Sequence, residues 1–131
     1  MMNLLINIDV PELEPAIEFY CSAFQLTLNR MLDDDVAELT GASSTIYLLK
    51  KDAGSGFSKY STATRNYKRH WTPVHFDFVV DDIWQATERV VSAGANLEAE
   101  CGEWRESKCI TFSDPFGNGF CLIEFKNQTY S

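Results

Sequence analysis

The sequence is short of positive charge. Eleven lysines and arginines stand against 19 aspartates and glutamates, for a net charge of −8. General nucleic-acid binding needs a basic surface, so that class is excluded. Long apolar runs are also missing. None approaches the roughly 20 residues needed to span a bilayer, so no membrane partner is expected. The first residues lack a basic segment followed by an apolar one and a small-residue cleavage site, so no secretory signal is expected. The four cysteines, Cys21, Cys101, Cys109 and Cys121, show no Cys-x-x-Cys spacing. They suit reduced thiols in a cytoplasmic protein better than a disulfide framework or a zinc knuckle. Gly54-Ser55-Gly56 lacks the spacing and the Lys-Ser/Thr pair of a phosphate-binding loop.

What is present is enough for one globular domain over 1–131. The chain is 45% hydrophobic and long enough to bury a core. Its acidic balance is compatible with a cationic ligand, but it serves solubility equally well.

Taken in order, Asn3 to Asp9 alternates as a strand, with Leu4, Ile6 and Ile8 on one face. A helix follows, with Pro15 in its first turn and Leu13, Ile17, Tyr20 and Phe24 as its buried stripe. Strands are predicted over 26–32, 36–39 and 44–49, separated by the Asp33-Asp34-Asp35 and Gly41–Ser43 turns. Residues 51–73 differ. They contain no Leu, Ile or Val, hold or adjoin six of the eleven basic residues, and interleave Phe57, Tyr60, Tyr67 and Trp71. This segment is either a solvated connector or a flap over a ligand. The opening pattern then returns. A strand over 74–80 places Phe76, Phe78 and Val80 on one face, and His75, Asp77 and Val79 on the other. Asp81-Asp82 caps a helix over 83–93, which Gly94 stops. Strands over 97–104, 108–113 and 119–125 close the chain.

Sliding the chain on itself by 70 positions sets Val10 on Val80, Ala16 on Ala86, Glu18 on Glu88, Ser22 on Ser92 and Ala23 on Ala93. Each half therefore reads strand, helix, strand, strand, strand. Repeat one covers 3–50 and repeat two 74–126. The expected class is α+β: two βαβββ repeats forming a curved mixed sheet around a concave cleft, with helices outside.

Ala16-Ile17-Glu18-Phe19-Tyr20 and the hairpin Asp114-Pro115-Phe116-Gly117-Asn118 with Leu122-Ile123-Glu124 carry a resemblance. On this repeat and these motifs the chain resembles the vicinal oxygen chelate superfamily, which includes glyoxalase I, bleomycin-resistance proteins and extradiol dioxygenases. The resemblance covers nearly the whole chain, and it implies fold more strongly than function.

In the metal enzymes of that superfamily, the first and last strands of each half supply inward ligands, usually His and Glu. Carried over residue by residue, those positions fall on Leu5, Tyr47, His75 and Cys121. Only His75 matches. Leucine cannot ligate, tyrosine is an uncommon and neutral ligand, and one His with one Cys falls short of the three or four ligands expected. Asp77 shares a face with His75, so the set His75, Asp77 and Cys121 is the one unusual metal site available. A Cys121–His75 nucleophilic dyad lacks an oxyanion hole and an orienting third group.

The expectation is a metal-free small-molecule-binding or sequestration protein, similar in architecture to the bleomycin-resistance branch. It has no catalytic residue and no cofactor. Asn7, Tyr47, His75, Asp77 and Cys121 line the ligand site, with Trp104, Trp71 and Tyr67 as walls. The ligand is small, cationic or aromatic. The resemblance also implies a homodimer. Two alternatives stay open. One is a lyase, isomerase or dioxygenase using one divalent metal at a non-standard site. The other is a non-catalytic scaffold or regulatory module with a filled cleft.

Overall fold

The computed structural model describes residues 1–131. The chain divides into two compact units, Met1–Lys68 and Arg69–Ser131. Both are built the same way. In the first, β1 (Leu5–Val10) leads into α1 (Leu13–Phe24), followed by β2 (Thr27–Leu32), β3 (Val36–Thr40) and β4 (Thr45–Lys50). In the second, β5 (Phe76–Val79) leads into α2 (Ile83–Ala93), followed by β6 (Asn96–Trp104), β7 (Ser107–Ser113) and β8 (Gly119–Phe125). The strand orders are β1-β4-β3-β2 and β5-β8-β7-β6. In each unit the first strand runs parallel to the last, and the other neighbours are antiparallel. The predicted βαβββ repeat is therefore present twice. It forms two four-stranded mixed sheets, one in each unit, and the class is α+β as expected.

Each helix covers one face of its own sheet, α1 against β2, β3 and β4, and α2 against β7 and β8. Under α1 lie Ile8, Val10, Ala37, Leu39, Ile46 and Leu48, all buried. Under α2 the side chains of Ile83, Ala86 and Val90 meet Ile110, Phe112, Phe120 and Leu122. Phe112 and Phe120 are cross-strand partners with stacked rings, their centroids 5.3 Å apart. Burial of these side chains away from water is the main force holding each helix to its sheet.

The stripe expected on α1 is corrected. The helix buries Leu13, Ala16, Phe19, Tyr20 and Ala23, while Ile17 and Phe24 are only partly covered. Ala16 and Ala23 let the backbone lie close to the sheet, which rotates the helix relative to a stripe drawn through the larger residues. The α2 boundaries agree with the sequence reading. Asp82 Oδ1 accepts from the Trp84 and Gln85 amides, both at 3.1 Å. At the other end Gly94 adopts φ 123° and donates to the Val90 and Val91 carbonyls, a conformation open to glycine at little cost.

The 114–119 turn is built around Asp114, which is 1% exposed. Its Oδ1 accepts from the Phe116 and Asn118 amides at 2.8 and 2.9 Å, and its Oδ2 from Asn118 Nδ2 at 2.9 Å. The turn delivers β8 between β5 and β7, the central position that its apolar sequence required.

Residues 51–73 contain no helix or named strand, yet they are tied down at both ends. Arg65 donates to Asp9 Oδ2 at 2.6 Å and to the Gly56 carbonyl at 2.6 Å, inside the first unit. In the second unit the His70 amide donates to the Gly117 carbonyl at 2.8 Å, and Gly119 donates back to His70 at 2.9 Å. No helix is long and apolar enough to cross a membrane.

Candidate functional site

Strand alternation sends the apolar half of each sheet toward its helix and the other half to the helix-free face. On that face of the first unit one row crosses all four strands. Asn7 pairs with Tyr47, Tyr47 with Glu38, and Glu38 with Arg30. The pairing of β2 shifts between Leu28 and Arg30. This bulge adds Asn29 to the row, so two consecutive side chains reach one acceptor.

That acceptor is Glu38, a carboxylate only 6% exposed. Oε1 accepts from Asn29 Nδ2 at 2.7 Å and Arg30 Nε at 3.0 Å. Oε2 accepts from Arg30 Nη2 at 3.3 Å and the Tyr47 hydroxyl at 2.8 Å. The Arg30, Asn29 and Tyr47 hydrogen bonds together lower its pKa to about 2. The same bond raises the pKa of Tyr47, which stays a neutral phenol at neutral pH. The sequence reading chose Tyr47 and Asn7 and missed Glu38, Arg30 and Asn29. A lone Glu between Ala37 and Leu39, with Arg30 across a tight turn, was the available signal.

The equivalent row of the second unit is Asp77, Cys121, Thr111 and Ala99. His75 precedes β5 on the same side. Its Nε2 lies 3.3 Å from Asp77 Oδ1, and the ligating atoms of His75, Asp77 and Cys121 all fall within 4.8 Å of one another. His75 and Asp77 are exposed while Cys121 is buried. Burial is the main cause that pushes the Cys121 thiol well above its ordinary pKa, with Cys109 and Asp77 adding to it. Cys109, one rung along and one strand over on the same face, was missed. Its pKa is also raised, chiefly by burial, and its thiol hydrogen-bonds that of Cys121. All four cysteines are free.

The three expected wall residues separate. Tyr67 belongs to the first unit, where its hydroxyl donates to the Lys51 carbonyl at 2.6 Å. Trp71 sits against the His75 ring, with centroids 5.2 Å apart. Trp104 is at the far end of β6, in the row of Phe125 and not of Cys121. It packs on Tyr130 at 4.7 Å, and Tyr130 packs on Phe125 at 4.8 Å. The Tyr130 hydroxyl has its pKa raised by burial first and then by Asp77, Cys109 and Cys121. The C-terminal tail thus packs its Tyr130 ring against both Trp104 and Phe125.

A family model described as a glyoxalase-like domain matches residues 5–123. The chain belongs to that family, and so to the glyoxalase, bleomycin-resistance and dioxygenase group of folds that its repeat suggested. Solved structures agree at the level of fold. A hypothetical protein from Staphylococcus aureus is 20% identical, with TM-score 0.74 over 95% of this chain and 94% of that one. Lactoylglutathione lyase from Agrobacterium tumefaciens is 18% identical, with TM-score 0.68 over 99% and 98%. A genomically encoded fosfomycin resistance protein from Listeria monocytogenes is 17% identical, with TM-score 0.71 over 95% and 93%. No curated protein matches the sequence.

The metal implied by the fold family can be tested against the residues that stand in its place. Leu5 offers no donor atom. The Tyr47 hydroxyl is spent on Glu38 and held protonated. His75 and Cys121 alone can ligate, and two ligands are too few for a stable centre. The family's four-ligand set does not fit this chain.

Proposed function

We propose that this protein binds a small organic molecule without the family's metal centre, and holds it without chemical change. The observation that carries the reading is the Tyr47–Glu38 bond, which closes the one family ligand position on the first unit that bears an oxygen. The helix-free faces supply recognition groups of the kind small-molecule sites use, a few fixed polar atoms among aromatic and apolar ones. On the first unit Asn7 offers hydrogen bonds, the Tyr47 hydroxyl being committed to Glu38. Asp77, exposed beside His75 and Trp71, suits a cationic or aromatic ligand.

The test is thermal unfolding of chelator-treated protein against a panel of organic cations and aromatic compounds. At least one compound raises Tm with EDTA present, and Asp77→Asn weakens the effect. Stabilisation that appears only after metal is restored would overturn the reading. So would metal-dependent turnover of a glyoxalase-type substrate.

A further inference from the structure

The cluster on the second sheet takes two of the family's ligand positions, His75 and Cys121, and adds donors that the family's set lacks. Its three donors are of different types, a thiol, an imidazole and a carboxylate, and all come from β8 and the start of β5. A second thiol, Cys109, touches the first from β7. We propose that Cys121, His75 and Asp77, with Cys109 as fourth ligand, form a binding site for one thiophilic divalent cation, Zn²⁺ or Cd²⁺.

Distances support it first. Ligands at about 2.0–2.3 Å from a tetrahedral ion lie roughly 3.3–3.8 Å from one another. The His75–Asp77 separation of 3.3 Å already has that length, and the whole triad lies within 4.8 Å. Small side-chain rotations close the remaining gap. Cys109 lies one diagonal step from Cys121 on the same sheet face, and its thiol hydrogen-bonds that of Cys121.

Donor type then selects the ion. Two thiols and an imidazole favour Zn²⁺ or Cd²⁺ over Mg²⁺, Ca²⁺ and Mn²⁺, which prefer all-oxygen sites. The surroundings are arranged for it. Cys121 sits at the base, His75 and Asp77 stand half open at the mouth as an entry path, and the Trp71 ring fixes the imidazole from one side. Binding replaces two S–H bonds by two metal–sulfur bonds and releases two protons. The site goes beyond the ligand-binding reading, and either can hold without the other.

The experiment titrates the full, reduced, chelator-stripped chain with Co²⁺ and then displaces it with Zn²⁺. One equivalent of Co²⁺ should bind with thiolate-to-cobalt charge-transfer absorption and tetrahedral d–d bands, both lost on adding Zn²⁺. Cys109→Ser should roughly halve the charge-transfer intensity, since one of two thiolates is gone, and His75→Ala should weaken binding by more than about tenfold. Both positions are partly exposed, and unchanged thermal unfolding of the metal-free variants keeps the comparison valid. Cys21→Ser, on α1, should change nothing. A Co²⁺ complex without charge-transfer absorption, or one unaltered by Cys109→Ser and His75→Ala, overturns the proposal. The organic-ligand test is run in EDTA, so its outcome is independent of this one.

Discussion

The Tyr47 hydroxyl donates at 2.8 Å to Glu38, the carboxylate that also takes Asn29 and two nitrogens of Arg30. Four hydrogen bonds fill its two oxygens. A buried charge this fully satisfied is a fixed part of the sheet, and it decides which of its neighbours stay available to a ligand. Arg30 and Tyr47 are committed to it, and Asn7 at the end of the row is the residue left open.

The network makes stability depend on acid. Glu38 titrates near 2 in the folded chain against an ordinary 4.5, so its contribution is complete above about 4.5 and is lost as pH falls toward 2. Glu38→Gln should lower stability at pH 7 and flatten the pH dependence between those values. Urea unfolding of both proteins at several pH values reads the difference. Parallel curves for the two proteins would assign the acid sensitivity elsewhere.

The strands and helices were legible because period and punctuation agreed. The apolar run before Phe125, the Asp81-Asp82 cap and the Gly94 stop each pointed to an element that the structure forms. The α1 stripe was not legible, because hydrophobic size alone ignores how closely Ala16 and Ala23 allow the helix to approach. At the site, His75 and Cys121 came from the family resemblance, and Asp77 from alternation beside His75. Glu38 did not follow. Its ionic partners depend on the bulge at Asn29, and one inserted residue reverses the face of every side chain before it. Cys109 was within reach of strand alternation over 108–113. The fate of Trp104 was set by Tyr130 in the tail, which no strand pattern positions.

Residues 51–73 are anchored through Arg65, whose guanidinium joins Asp9 on β1 to Ser55 and Gly56. Arg65→Ala should cost roughly 1–2 kcal/mol, the scale of a few partly buried hydrogen bonds to a charged group. It should also expose 52–64 to cleavage. Limited proteolysis would show faster nicking there than in the wild type. Equal rates would mean that the Gly54–Arg65 backbone bonds hold the segment alone.

Asp114 carries the hairpin that feeds β8. Asp114→Ala removes the acceptor of three donors in a turn with little access to water, at a cost on the order of 3 kcal/mol. Asp114→Asn keeps one carbonyl oxygen for the two amides and should cost less. Denaturant midpoints of the two variants give the ranking, and an Asn variant as unstable as Ala would place the need on the charge itself.

Gly119 is the point where the connector closes on β8. A methyl group there would come within 2.6 Å of two Trp71 ring carbons and 2.8 Å of the His70 carbonyl. Gly119→Ala must therefore displace Trp71, break the His70 pairing, or both, at a cost of about 1–3 kcal/mol for overpacking. Since Trp71 rests on His75, the effect should reach the cluster. The His75 ring protons should lose the shift imposed by the indole, and tryptophan fluorescence should move toward that of an exposed ring. Gly102→Ala, on β6 with open space around it, should leave both signals in place. If Gly119→Ala lowers stability with the His75 resonances unmoved, the indole is not what orients that imidazole, and Asp77 alone does so.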